Sequence, residues 1–141
     1  MQESWHKFIP VEGLSERYSL SSIDNRALSF TVTLQDETNS YNKIYFKFEG
    51  RVFSYKTTNS VLKKKKIEQL KTQYGNEEAL SWALFAVENS NYSQWVFEGA
   101  VEIFGIEFMQ HYAFITTDHF LEFIASRPPT VSFTPFTPPV E

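Results

Sequence analysis

The sequence predicts an α+β fold: a single mainly antiparallel sheet of about five or six strands with two helices packed against it. Three observations predict it. Several short segments alternate apolar and polar residues with period two. Two longer segments place apolar residues at helical spacing. Hydrophobic residues make up 42% and charged residues 21% of 141 positions, the composition of one ordinary globular domain. Residues 1–126 form the expected domain and residues 127–141 a proline-rich extended tail.

Residues 1–17 carry Trp5, Phe8, Ile9 and Pro10 without a clear period, which reads as a packed N-terminal arm. Residues 27–34 alternate cleanly, with Leu28, Phe30, Val32 and Leu34 on one face and Ser29, Thr31 and Thr33 on the other. After a polar turn, residues 43–49 set Ile44, Phe46 and Phe48 opposite Lys43, Tyr45 and Lys47. Gly50 and Arg51 connect to a further strand at 52–57, completing a meander with one wet face. The period changes at 64–74, where Ile67, Leu70 and Tyr74 make an amphipathic helical stripe and Gly75 supplies a stop.

Residues 81–87 fit helix or strand by period, and their short aromatic-rich run favours a strand. Residues 92–104 read as a helix capped by Asn91, with Gln94 three residues on. Gln94, Glu98 and Glu102 form its polar stripe, and the wide apolar remainder implies cover on more than one side. Residues 110–116 and 119–125 flank Thr117 and Asp118, a hairpin turn, and are apolar on both faces, as central strands are. Five of six prolines fall after residue 126 and argue against a regular ladder there.

Composition also excludes functions. Without cysteine the chain has no disulfide, thiolate nucleophile, iron–sulfur cluster or cysteine zinc site. A net charge of −4 provides no overall field to gather nucleic acid. No secretory signal opens the sequence and no run of about 20 apolar residues occurs, so a cytoplasmic protein without membrane contact is expected. No glycine-rich phosphate loop or nucleophile-elbow motif is present, and no cofactor or metal is expected. Aromatic residues, at 17%, are the outstanding feature. Rings in that number build a core or meet a partner.

His111, Asp118, His119 and Glu122 are the residues best suited to acid–base or metal chemistry. A tight hairpin at Thr117 and Asp118 sets His111 far down its strand from His119, and His119 and Glu122, three apart, face opposite sides. A structural or solvated role is the simpler reading of all four. The lysines at 63–66 fit a phosphate or an acidic partner, or simply a solvated first helical turn. Glu98 and Glu102 offer a docking face for a basic protein, or a water-facing helix edge. The letters Pro135-Phe136-Thr137-Pro138 match PxxP, and Asn91-Tyr92-Ser93 matches a glycosylation sequon, both at the frequency expected by chance.

One stretch carries a resemblance. Trp82-Ala-Leu-Phe-Ala-Val-Glu-Asn-Ser90, Tyr92-Ser-Gln-Trp95, His111-Tyr112-Ala-Phe-Ile-Thr-Thr-Asp118, residues 120–125 and Pro128-Pro129 resemble a pattern in small bacterial proteins. Those proteins are similar to the immunity partners of polymorphic toxins. The resemblance spans residues 81–131 and implies no catalytic residue. It implies folding roles: Asn89 and Ser90 ending a strand and capping a helix, Trp95 filling the core, and His111 and Tyr112 opening the next strand.

The leading expectation is therefore a non-enzymatic protein-binding domain, an immunity protein that occludes a cognate toxin, with Glu98, Glu102, Tyr45 and Lys47 as candidate partner contacts. Two alternatives stand beside it. One is a small hydrolase or nuclease using His111 or His119 with Asp118 or Glu122. The other is a small-molecule-binding module with an aromatic cavity.

Overall fold

A computed structural model describes residues 3–26, 29–38, 42–59, 63–74, 82–99, 105, 107 and 109–135. Among the described residues, nine strands and two helices follow in the order β1 (Ser4–Lys7), β2 (Tyr18–Arg26), β3 (Ser29–Asp36), β4 (Asn42–Phe48), β5 (Val52–Asn59), α1 (Lys64–Tyr74), β6 (Leu84–Glu88), α2 (Asn91–Gly99), β7 (Gln110–Ile115), β8 (His119–Ala125) and β9 (Thr130–Pro135). They form a five-stranded sheet, β1-β6-β7-β8-β5, and a four-stranded sheet, β2-β3-β4-β9. Every pairing is antiparallel. The expectation of a single α+β sheet is thus corrected: the chain is mostly β and its strands divide between two sheets.

The two sheets pack face to face. Val32, Leu34, Ile44, Phe46 and Phe48 of one meet Leu84, Phe114, Leu121 and Phe123 of the other in the main core. Each buried Phe or Leu contributes roughly 2–3 kcal/mol relative to exposure. Alternation along β7 and β8 sends the intervening residues to the opposite face of the five-stranded sheet. There Ile67 of α1 packs on the cluster of Trp5, Phe85 and Phe120. Tyr92, Val96 and Phe97 of α2 pack with Met109, Phe53 and Ile124. The apolar character of both faces of β7 and β8 therefore reflects a sheet sandwiched between a second sheet and two helices.

Three strands escape the sequence pattern. β1 is only four residues long, too short to display a period. In β2 a register shift between Leu20 and Ser22 breaks the alternation, so inward residues skip from Leu20 to Ile23 and no period marks the strand. β9 lies in the segment read as a ladder-free tail. It instead pairs with β4 from Lys47↔Thr130 to Asn42↔Pro135. Pro128 and Pro129 precede it and Pro135 ends it, so the prolines bound an edge strand without interrupting it.

Gly50 makes the crossing from β4 in one sheet to β5 in the other. A Cβ there would lie 2.2 Å from Ser126 Oγ, which accepts the Arg51 N–H at 2.8 Å. The β7–β8 hairpin turns tightly, as expected, with the His119 N–H donating to Thr116 Oγ1 at 2.9 Å.

Candidate functional site

The helix-covered face of the five-stranded sheet carries a polar cluster. In the ladder, Glu122 of β8 lies opposite Lys56 of β5 on one side and Ala113 of β7 on the other, while His111 lies opposite Ile124. His111 and Glu122 are therefore diagonal neighbours on one face, the spacing that long side chains bridge. His111 Nε2 lies 3.2 Å from Glu122 Oε1. Lys56 Nζ lies 3.4 Å from Glu122 Oε2 and 4.2 Å from the centre of the Tyr92 ring. Both His111 and Glu122 are buried. Burial alone raises the Glu122 carboxyl, but the His111 hydrogen bond and the charge of Lys56 outweigh it and hold the group below its ordinary value. Glu122 Oε2 accepts no hydrogen bond among the described residues.

His111 reaches the other way to the start of α2. Asn89 takes the left-handed conformation, φ 53°, turning the chain from β6 into the helix. Ser90 then caps α2: its Oγ accepts the Ser93 N–H at 2.9 Å and lies 2.6 Å from His111 Nδ1. The cap is Ser90, as the resemblance implied, and Asn91 is the first residue of the helix. A neutral imidazole satisfies both neighbours in one tautomer, with Nδ1 accepting from the Ser90 hydroxyl and Nε2–H donating to Glu122. The rings of Trp5 and Tyr92 meet the imidazole edge-on, at 5.8 and 5.4 Å between centres.

Glu3 ties the remaining walls together. Its Oε1 accepts from Trp5 Nε1 at 2.9 Å and lies 3.1 Å from Lys66 Nζ, and its Oε2 accepts the Asn91 N–H at 2.8 Å. Burial again pushes this carboxyl up, and the hydrogen bonds from Trp5, Asn91 and Lys66 more than reverse it. Lys66 Nζ sits 4.8 Å from the centre of the Trp5 indole.

Between these groups lies a cleft of about 600 Å³, open to solvent and bounded by α1, the first turn of α2 and the sheet. Trp5, Phe120, His111 and Glu122 line it from the sheet, Lys63 and Lys66 from α1 and its approach, and Trp95 from α2. Trp95 is 67% exposed. This corrects its expected place in the core: α2 buries Tyr92 and Ser93, and turns Trp95 outward beside the cleft. Lys63 Nζ lies 5.6 Å from the centre of the Phe120 ring. Lys64 and Lys65 point to solvent, so the lysine run divides into two inward and two outward side chains.

Of the four residues singled out for acid–base chemistry, the fold unites His111 and Glu122 and separates the other pair. His119 Nδ1 and Asp118 Oδ1 form their own contact at 3.1 Å at the hairpin turn. The partner-contact candidates do not share a patch. Glu98 is exposed on α2, with its Oε1 accepting from Gln94 Nε2 at 3.2 Å. Tyr45 and Lys47 lie on the outer face of the four-stranded sheet, since Ile44, Phe46 and Phe48 take the inner one. Glu102 lies outside the described residues, as does most of the PxxP match.

Lys56, Trp5 and Glu3 escaped sequence reasoning as site residues because each joins the cluster through contacts over long separations, and Ser90 was read only as a cap. The one local signal was the lysine run, whose i, i+3 members Lys63 and Lys66 share a helical face. Chemically, Ser90–His111–Glu122 contains the residue types of an acyl-transfer relay. However, the serine is only 7% exposed and its oxygen already caps α2. Among the described residues no group of three His, Cys, Asp or Glu is placed to hold a metal ion, and no helix is long and apolar enough to cross a membrane. No protein-family model, curated protein or solved structure matches the chain.

Proposed function

We propose that this protein is a non-enzymatic protein-binding domain that receives its partner at the cleft between α1 and α2, in the manner of an immunity protein neutralising a cognate toxin. One observation carries this reading: Trp95, a large ring 67% exposed, stands at the mouth of a cleft whose floor is already rigid. Tryptophan is among the residue types enriched at interface hot spots. The floor is held by internal pairs, Glu3 with Lys66 and Glu122 with Lys56 and His111, so a partner meets a fixed shape and little side-chain ordering is required on binding. The resemblance of residues 81–131 to immunity proteins falls on β6, α2, β7 and β8, the elements that carry Trp95, Ser90, His111 and Glu122.

The test is partner capture from the native cells by the wild-type chain and by Trp95→Ala, followed by affinity measurement on the purified pair. The reading expects a protein partner whose affinity falls about tenfold or more on removal of the indole. Recovery of no partner, or equal affinity for both forms, counts against it.

A second reading is favoured by one specific arrangement, the Ser90–His111–Glu122 chain of hydrogen bonds. It is a hydrolase in which His111 takes the Ser90 proton. It requires a carbonyl carbon to reach a nearly buried hydroxyl, and it predicts ester turnover abolished by Ser90→Ala. Turnover unchanged in that variant, or lacking in the wild type, removes it.

A further inference from the structure

The charges lining the cleft do not cancel. Three ammonium groups, Lys56, Lys63 and Lys66, face two carboxylates, Glu3 and Glu122. Each carboxylate is already engaged, Glu122 with Lys56 at 3.4 Å and Glu3 with Lys66 at 3.1 Å. Lys63 is half-buried against the Phe120 ring; its charge acts on Glu122 from beyond contact distance, and none of the carboxylates of the described residues forms a direct ion pair with it. A half-buried ammonium beside an open cavity gains most from an anion delivered into that cavity, where water is partly excluded. The exposed rings of the lining, Trp95 and Tyr55, suit an apolar stem next to the charge.

We infer that the cleft is a carboxylate-receiving subsite, in which an acidic side chain of the protein partner pairs with Lys63 while its flanking apolar residues rest on the exposed Trp95 ring. This rests on the protein-binding reading and specifies the partner's chemistry. The occupant is an acidic side chain because, among the described residues, the lining carries one ammonium group more than it has carboxylates. The outward Lys64 and Lys65 add a positive approach path on an otherwise acidic protein.

The probes are acetyl-Leu-Glu-Leu-amide and its glutamine counterpart, titrated into the isotope-labelled full chain and followed by NMR at the Trp95 indole and the Lys63 amide. The glutamate peptide is expected to bind about fivefold tighter than the glutamine peptide, the value of one partly screened ion pair. Lys63→Gln should erase that preference, Lys63→Arg should keep it, and the outward Lys65→Gln should leave it nearly intact. Equal binding of the two peptides, a preference that survives Lys63→Gln, or no shift of either signal up to roughly 10 mM peptide overturns the subsite. The two failures are separable. Peptide discrimination with no partner recovered from cells sinks the protein-binding reading alone. A recovered partner indifferent to Lys63→Gln sinks the subsite alone.

Discussion

The carboxylate of Glu3 caps a helix that begins 88 residues later: its Oε2 accepts the Asn91 N–H at 2.8 Å, while its other oxygen holds Trp5 and Lys66. One side chain thereby fixes β1, α1 and α2 around the cleft. A negative group at that end of α2 also opposes the helix dipole favourably.

Glu3→Gln should therefore cost about 1–2 kcal/mol of stability, with Glu3→Ala at the upper end. Urea unfolding checks the magnitude. Hydrogen exchange should show the loss concentrated at the start of α2 and in α1. A uniform change across both sheets, or none, would contradict the role given to this residue.

Glu122 is a buried carboxylate that accepts from the buried His111 and pairs with the half-exposed Lys56, so deleting it leaves a buried donor without its acceptor. Glu122→Ala should destabilise by about 2 kcal/mol, because the buried His111 loses its acceptor and Lys56 a nearby counter-charge. The pH dependence has a definite sign. A carboxyl held below its ordinary value of 4.5 adds stability that is present above that pH and is lost as pH falls through the lower folded value. Wild-type stability should thus decline in the acid range below 4.5, and the decline should be shallower in Glu122→Gln. Parallel acid curves for the two proteins would contradict this.

Tyr18 and Tyr112 define the alkaline limit. Burial pushes each hydroxyl up from 10.0 to about 12, and at Tyr18 the nearby charge of Asp36 adds to the effect. A raised folded value stabilises fully below the unfolded one and loses its contribution as pH climbs. Stability should fall between pH 10 and 12 by about 1.4 kcal/mol per pH unit for each such tyrosine. Tyr18→Phe or Tyr112→Phe should flatten that slope in denaturant titrations, whatever it does to stability at neutral pH.

Two tryptophans separate folding from binding. Trp5 is buried among Phe85, Phe120 and His111, so Trp5→Ala should cost about 3–5 kcal/mol. Trp95→Ala should leave stability within about 0.5 kcal/mol, as exposed sites do, while weakening partner capture. A Trp95 variant that unfolds would place that ring in a structural role and remove the main support for the binding reading.

Gly50→Ala brings a Cβ onto Ser126 Oγ at the point where the chain changes sheets. It should cost about 1–3 kcal/mol, the range for overpacking a tight contact. Combining it with Ser126→Gly should recover part of that cost, and a purely additive double variant would rule out the clash.

Legibility in the sequence followed from how local each signal was. β3 and β4 declared themselves by alternation, β7 and β8 as short runs apolar on both faces, α1 by its stripe, and the β7–β8 turn by Thr117 and Asp118. The division into two sheets was not legible, because an apolar inner face looks the same whether it meets a helix or another sheet. β2 was hidden by its bulge and β9 by the prolines at its ends. For the site, His111 and Glu122 were singled out for their chemistry, but their contact depends on a diagonal register across the hairpin. Trp95 was placed inward by the resemblance. Its helix buries Tyr92 and Ser93, and the Trp95 ring lies beside Tyr92, 6.2 Å between centres, at the edge of the packed face where it stays exposed.

The strand pairings also set an order of assembly. β1 pairs with β6, with Ser4 opposite Glu88; β4 waits for β9, and β5 for β8. Neither sheet is complete until its latest-made strand has docked against earlier ones. Such distant partnerships place folding on the order of milliseconds to seconds, well behind helical bundles of equal size. During that interval the open edges of β4 and β5 are exposed to other chains. Growth temperature and expression rate should therefore govern soluble yield more strongly than equilibrium stability does.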